Sequence, residues 1–296
     1  VGITTKGGDI SITAPNITST GVTINTSSDN ASTAGGSVIL STKGSDTSGN
    51  LTVGDIITSG SAAIASSGNG GGAAGMITLT SAGALLTLGG TINARGGASD
   101  GVGVAGADGT LKLLSAAGAV LQANGSNEID TGKVLLDALN SSALLDMDNS
   151  VDLISARIGG EGKNFTYRSG SDFAIGGGES GIEGITTQGG FVDIGSSDYA
   201  ISVTQNIITK GGDFSATGVR SFNYTGVTIS TAGAVTYADG VYKDGGTIDI
   251  ATTANSGNVN TGNLDSSGDV NAAAASAGNI TLYANGILTV HETKAQ

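Results

Sequence analysis

Short runs with apolar residues at every second position recur along the whole chain. Examples are Ile10-Ser11-Ile12-Thr13, Ile77-Thr78-Leu79-Thr80 and Ile248-Asp249-Ile250. This alternation is typical of β-strands with one buried and one exposed face. Because stretches rich in Gly, Ser, Asn and Asp separate the runs, the pattern predicts many short strands joined by turns.

One phrase of this kind occurs three times, at residues 2–13, 184–194 and 206–216. In each copy a β-branched run is followed by a polar residue, a Gly-Gly pair and a second alternating run. Glycine adopts positive φ at little cost, so the Gly-Gly pair predicts a corner between two strands. A single unit of this size cannot bury its apolar face, and we therefore expect copies to stack as in a solenoid.

The spacing of the Gly-Gly pairs indicates the size of one turn. Gly189-Gly190 is followed by Gly211-Gly212, a step of 22 residues, and other steps are longer where loops intervene. Such a step fits one turn of a roughly three-sided parallel β-helix, and the chain length then predicts about 11–13 rungs with loop insertions. The predicted fold class is all-β.

A longer period is also present, because Gly226-Val227-Thr228-Ile229 repeats Gly21-Val22-Thr23-Ile24 at an offset of 205 residues. We expect residues 1–296 to form one continuous β-solenoid. Residues 1–108 and 206–296 resemble each other as a tandem duplication, and residues 109–205 supply intervening rungs. The chain begins inside a repeat-like phrase, which indicates a fragment of a longer chain or filament.

Three stretches need a separate interpretation. Residues 59–75 and 94–108 are rich in Gly and Ala, and they predict long loops. Residues 133–147 are apolar enough for a helix, but the turn residues on both sides favour strands. All five Phe and all six Tyr lie after residue 164. They either fill a wider core, which we favour, or form an exposed patch for sugars or a partner protein.

Composition excludes several classes of function. The chain contains 52 Gly but only 1 Pro, without the period of collagen, and its 38% hydrophobic residues argue against disorder. It contains no Cys, so disulfides and thiolate metal sites are excluded. The net charge of −13 disfavours nucleic acid as a partner. No apolar stretch approaches the 18 or so residues that a transmembrane helix needs.

The candidates for catalysis are few. His291, the only histidine, is followed by Glu292 near the end of the chain, and an isolated histidine predicts a surface role. Two carboxylate pairs, Asp146 with Asp148 and Asp249 with Asp265, are candidates for a polysaccharide-cleaving site. Scattered, solvated acids explain them more simply. The sequence predicts a non-enzymatic protein without catalytic or cofactor-binding residues.

Calcium is the metal that the acidic residues suit best. The run Asp146-Met147-Asp148-Asn149, and Asp193 with Asp198, offer oxygen ligands. However, the Gly-Gly-x-Gly-x-Asp nonapeptide of calcium-binding β-rolls is missing. We therefore expect no dedicated metal site, and any calcium ion would be incidental.

The repeats resemble those of a known group of secreted proteins. Phrases such as Thr5-Lys6-Gly7-Gly8-Asp9-Ile10 and Ala277-Gly278-Asn279-Ile280-Thr281-Leu282 are similar to the repeats of filamentous-haemagglutinin-type exoproteins of two-partner secretion systems, and to autotransporter passengers. The resemblance is best at residues 1–100 and 180–290. It implies a right-handed parallel β-helix, export through an outer-membrane transporter, an extracellular or cell-surface location and an adhesive role.

Three hypotheses about function follow. The first is a structural or adhesive segment of a secreted bacterial surface fibre, whose partners are host or neighbouring-cell surfaces, extracellular matrix or polysaccharide. The second is a filament subunit that stacks end to end on itself, because no amphipathic helix is predicted to cap the sheet edges. The third is a β-helix that cleaves or binds polysaccharide.

Overall fold

Parallel β-strands make up the regular structure of this protein. The computed structural model describes residues 2–44, 49–64, 68, 70–83, 85–123, 125, 128–178, 181–233, 244–253, 257–269 and 275–295. These residues form strands and no helix, which confirms the predicted all-β parallel solenoid. The chain divides into two compact units, Val1–Leu136 with Asn149–Asp152, and Asp137–Asp148 with Leu153–Gln296.

Twelve strands belong wholly to the first unit. They are β1 (Gly2–Thr4), β2 (Ile10–Ala14), β3 (Ile17–Thr18), β4 (Thr23–Asn25), β5 (Val38–Thr42), β6 (Leu51–Val53), β7 (Ile56–Ile57), β8 (Ile77–Ser81), β9 (Leu85–Leu88), β10 (Ile92–Ala94), β11 (Thr110–Ser115) and β12 (Ala119–Gln122). Two strands contribute residues to both units, β13 (Ile129–Ala138) and β14 (Ala143–Glu161). The region 133–147, for which helix was the alternative, is therefore largely strand.

The other strands belong to the second unit. They are β15 (Phe165–Ser169), β16 (Phe173–Ile175), β17 (Ile185–Gln188), β18 (Val192–Ser196), β19 (Ala200–Val203), β20 (Ile207–Ile208), β21 (Phe214–Val219), β22 (Ser221–Tyr224), β23 (Thr228–Ser230), β24 (Ile248–Thr252), β25 (Val259–Asn260), β26 (Asn263–Asp265), β27 (Ile280–Tyr283), β28 (Leu288–Thr289) and β29 (Glu292–Lys294).

In the first unit the pairing repeats every three strands, and we call each set of three a rung. β2, for example, pairs in parallel with β5, and β5 pairs with β8. The register places apolar residues of successive rungs directly on one another, as in the column Ile24, Ile56 and Ile92. These three side chains are at most 2% exposed, so the columns form the core.

The second unit follows the same rule with a more aromatic core. Phe165 pairs with Val192, and Val192 pairs with Phe214. Six of the Phe and Tyr side chains are buried: Phe165, Tyr167, Phe173, Phe214, Phe222 and Tyr224. The expectation that the aromatic residues fill the core is thus confirmed for these six, whereas Phe191 is 42% exposed.

The sequence separation between stacked core residues varies along the chain. The core positions Val192 and Phe214 lie one predicted turn apart, but Val38 and Ile77 lie much further apart because a Gly-rich insertion separates their strands. The right-handed, three-sided form, the total of about 11–13 rungs and the tandem duplication stay predictions.

The Gly-Gly pairs are corners at which successive rungs touch through their backbones. A Cβ atom added to Gly212 would lie 2.1 Å from the carbonyl oxygen of Gly190, and one added to Gly246 would lie 2.2 Å from that of Gly212. The first unit has the same contact, with 2.3 Å from Gly36 to the oxygen of Gly8. Since real Cβ atoms never approach an oxygen this closely, only glycine fits at these corners.

A buried hydroxyl group donates a hydrogen bond to the glycine carbonyl oxygen at many corners between strands. Thr58 donates a hydrogen bond to the carbonyl oxygen of Gly75 over 3.0 Å, and Thr187 donates to that of Gly190 over 2.6 Å. The threonine side chains are fully buried. Their hydroxyl groups satisfy carbonyl oxygens that would otherwise carry the cost of burial. The same bond recurs at Thr26, Thr131, Thr209, Thr231 and Ser266.

The corner conformation is shared by two copies of the repeated phrase. Lys6 and Gly7 have φ values of 55° and 95°, and Lys210 and Gly211 have 55° and 94°. Positive φ at a lysine is uncommon and costs energy, so the surrounding contacts must hold it in place. The predicted use of these glycines as corners with positive φ is confirmed.

Within the described residues, the Gly-rich stretches 59–75 and 94–108 contain no strand apart from Ala94, the last residue of β10. Gly72 donates its backbone N–H to Ser61 over 2.9 Å, Gly97 donates to Gly72 over 2.8 Å, and Gly106 donates to Gly97 over 2.8 Å. A Cβ atom on Gly72 or Gly106 would lie 1.8 Å from a neighbouring carbonyl oxygen. The prediction of loops is thus confirmed for the described residues, whose backbones lie side by side because glycine permits the close approach.

Asp and Asn side chains also connect successive rungs, by accepting hydrogen bonds from backbone N–H groups of the next rung. Asp9 Oδ1 accepts the backbone N–H of Ser37 over 2.7 Å, and Ser37 lies beside it in the next rung. Asp213 does the same with Thr247 over 2.7 Å, and Asn258 with Ile287 over 2.8 Å. In these three bonds the acceptor belongs to the earlier rung. We call this set the Asx ladder.

We expect Gly212→Ala to lower the free energy of unfolding by about 3 kcal/mol or more, because two backbones must separate to admit the methyl group. The matched control is Gly177→Ala, whose Cβ would meet nothing closer than 3.7 Å. Denaturant unfolding measures both. Equal, small losses for the two variants would contradict the role of the corner.

Candidate functional site

The predicted acids Asp146 and Asp148 lie together at one polar pocket of the second unit. The two residues are two positions apart on β14, so their side chains point to the same face. The pocket has a volume of about 190 Å³. Its lining residues are Asp146, Asp148, Arg168, Ser169, Gly195, Ser196, Ser197 and Thr217.

The stacking register explains how the pocket is built. Arg168 of β15 lies beside Gly195 of β18, which lies beside Thr217 of β21. A Cβ atom on Gly195 would come within 2.8 Å of the Arg168 side chain. Because Gly195 has no side chain, Arg168 can lie across it towards the carboxylate of Asp193.

Arg168 is held in this position by several acceptors. Its Nη2 donates to Asp193 Oδ2 over 2.6 Å, and its Nη1 donates to the carbonyl oxygens of Tyr167 and Asp193 over 3.1 and 3.2 Å. Asp193, one of the predicted calcium ligands, is thus engaged in an ion pair. Asp198, its predicted partner, has a φ of 73° and donates its N–H to the Gly218 carbonyl over 3.1 Å.

One atom of the pocket lacks a partner. Asp146 Oδ1 is shielded from solvent and accepts no hydrogen bond from the residues that the structure describes. An unsatisfied buried acceptor costs about 1–3 kcal/mol, and more when it carries charge. The arrangement offers carboxylate acceptors together with guanidinium and hydroxyl donors, which suits a ligand that both donates and accepts hydrogen bonds.

Of the other predicted carboxylate pair, Asp265 lines a second pocket that Asp249 does not line. The other lining residues are Thr228, Asn263, Leu264, Glu292 and Lys294. Asp265 accepts hydrogen bonds from the Ser267 backbone N–H over 3.0 Å and from the Ser267 hydroxyl group over 2.6 Å.

His291, the candidate histidine, is exposed between β28 and β29. In the described part of the chain, no group of three or more His, Cys, Asp or Glu side chains is placed to hold a metal ion.

A charged cluster in the first unit was not recognised from the sequence. Arg95 donates from Nε to Asp130 over 2.5 Å, and from Nη1 to Asp108 over 2.8 Å and Asp152 over 2.9 Å. Its Nη2 donates to the carbonyl oxygen of Ser150 over 2.9 Å. The partners come from three separate parts of the sequence, and only the stacking register collects them around one guanidinium group.

The environment of Arg95 stabilises its charge. Partial burial disfavours the charged form, but hydrogen bonds to Asp130, Asp152 and Asp108 outweigh this, and the pKa of Arg95 is raised. The cluster also ties down the start of a Gly-rich insertion, because Asp108 Oδ1 accepts the backbone N–H of Gly96 over 2.6 Å. Each nitrogen of the Arg95 guanidinium group donates to a group of the protein, which favours a structural role.

Comparison with protein families, with curated proteins and with solved structures finds no match to this chain. The resemblance to filamentous-haemagglutinin-type exoproteins therefore stays a prediction. Among the described residues, none belongs to a helix long and apolar enough to cross a membrane.

We expect Arg95→Lys to lower the free energy of unfolding by about 2 kcal/mol, because an ammonium group cannot reproduce the fork of hydrogen bonds to three aspartates. The control is Arg157→Lys, which replaces a more exposed guanidinium paired with Asp137 alone, and should cost under about 1 kcal/mol. Denaturant unfolding compares them. A smaller loss for Arg95→Lys than for Arg157→Lys would show that the cluster is not important for stability.

Proposed function

We propose that this chain is a non-enzymatic structural or adhesive segment of a secreted bacterial surface fibre. The observation that carries the proposal is the in-register parallel stacking of rungs within each unit, with glycine corners that permit only a tight repeat. A scaffold of this kind presents rows of outward side chains at a regular spacing. The sequence resemblance supplies the expectation of export through an outer-membrane transporter.

The alternation of buried apolar and outward polar residues along each strand supports a role in contact with other surfaces. Inward positions carry Ile, Leu, Val and Phe and are buried, whereas outward positions carry Thr, Ser, Asn and Asp. Outward residues can change without disturbing the stack. The partners that we propose are host or neighbouring-cell surfaces, extracellular matrix and polysaccharide, and a net charge of −13 opposes adsorption to nucleic acid.

Adhesion is tested with beads that carry the folded chain. We expect such beads to be retained on cell layers or on polysaccharide-coated glass more strongly than beads carrying the same chain after denaturation in urea. Counting retained beads under flow measures the difference. Treating the layers with protease or with glycosidases separates protein from glycan partners. Equal retention of folded and denatured chain would contradict the adhesive role.

A second candidate function is end-to-end assembly, which a specific observation favours. Within the described residues, β27, β28 and β29 each pair with one earlier strand only. Asn279 occupies the Asx-ladder position that Asp213 occupies two rungs earlier, and it is exposed. Leu288 stacks on Val259 and is 46% exposed. Another rung, supplied by the same chain or by a second copy, would complete both the ladder and the apolar column.

The assembly proposal predicts that the molar mass in solution rises with protein concentration. Leu288→Lys should suppress the rise, because it places a charge in the apolar column. Ile39→Lys is the control, since Ile39 is similarly exposed at 39% but points outward from β5. Light scattering coupled to size-exclusion chromatography gives the mass. A mass that stays at one chain up to high concentration would exclude self-assembly.

A further inference from the structure

We propose that the polar pocket of β14, β15, β18 and β21 binds the hydroxyl groups of a neutral sugar residue. The inference rests on the proposed adhesive function and names a ligand class for it. In the stack Gly195 stands between Arg168 and Thr217, and the Arg168 side chain that lies across Gly195 contributes to the wall of the pocket. The residues on its wall then face a space of about 190 Å³.

The acceptors in the pocket are suited to hydroxyl donors. Asp146 and Asp148 project from the same face of β14, and both residues line the pocket. A sugar hydroxyl group in the pocket can donate a hydrogen bond to a lining carboxylate. Two carboxylates on one face of a strand can accept hydrogen bonds from different hydroxyl groups of one pyranose ring.

The donors lie on the remaining walls. Ser197 and Thr217 are at least partly exposed, and their hydroxyl groups can donate as well as accept. The Arg168 guanidinium is already oriented by Asp193 and by two carbonyl oxygens, so its position needs no further ordering on binding. Preorganised donors lower the entropic cost of binding a small polar ligand.

Charge and size narrow the choice of ligand. Asp146, Asp148 and Asp193 outnumber the single cation Arg168, so an acidic sugar would be repelled. The fixed guanidinium group at the pocket works against a metal ion. The volume is below the roughly 300–1,000 Å³ of sites for drug-sized ligands, which restricts the site to a single sugar ring.

The experiment is a ligand-observed NMR titration of the whole chain with methyl glycosides of glucose, galactose and mannose. We expect saturation transfer from at least one of them, with a Kd of about 1–10 mM, in keeping with a small, open site. Asp146→Asn should weaken this binding at least about tenfold. It keeps the shape of the side chain but replaces one acceptor oxygen of the carboxylate with an NH2 donor. Thr217→Val, which removes one hydroxyl group, should weaken it less.

The control is Asp249→Asn, an acidic position on β24 outside the pocket, which should bind as the wild type does. Thermal unfolding shows whether each variant remains folded. No transfer from any glycoside, or equal binding by Asp146→Asn and wild type, would overturn the proposal. So would a titration in which calcium chloride alone binds and Asp146→Asn abolishes this binding, since the pocket would then be a cation site.

The bead assay separates this inference from the function on which it rests. If Asp146→Asn beads are retained as well as wild type while no glycoside binds, the pocket assignment fails and the adhesive role stands. If neither variant is retained more than denatured chain, the adhesive role itself fails. Glycoside binding would then remain as a property of the pocket alone.

Discussion

Contact between the backbones of successive rungs is the constraint on which both units depend. At Gly190, Gly212 and Gly246 the chains approach so closely that a methyl group would overlap a carbonyl oxygen. Hydrogen bonds hold the parallel strands of successive rungs at their usual spacing. The corners must lie at the same spacing, and no side chain fits between them there. The buried threonine at each corner satisfies the carbonyl oxygen that this approach removes from water.

The glycine corners and the core residues are constrained in this way, whereas the outward-facing residues are free to vary. Once glycine corners and stacked apolar columns specify the backbone, outward residues interact mainly with the residues beside them in the next rung. The Asx ladder, the Arg95 cluster and the pocket at Gly195 are three results of such neighbour contacts. Function in a solenoid of this kind is therefore sought in departures from the outward pattern, such as a glycine in a row of larger side chains.

The alternating pattern predicted much of this architecture, because burial on one face of a strand requires period two whatever the partner strand is. It predicted the strand type at Ile10–Ala14 and the glycine corner at Gly211 with its positive φ. It did not predict that the loop backbones at Gly72 and Gly106 contact each other, since a Gly-rich stretch has no side-chain pattern that reveals a partner. It also did not distinguish Asp146, which lies at the pocket, from Asp249, which does not.

The sequence by itself determined the local rules of this protein: strands with one apolar face, corners that need glycine, and an acidic surface without cysteine chemistry. These local rules follow from the properties of single residues and of their near neighbours in sequence. Only the tertiary structure decided which residues meet between rungs, because insertions of different length separate equivalent positions. Asp108, Asp130 and Asp152 converge on Arg95, and Arg168 lies across Gly195, through stacking registers that no local pattern records.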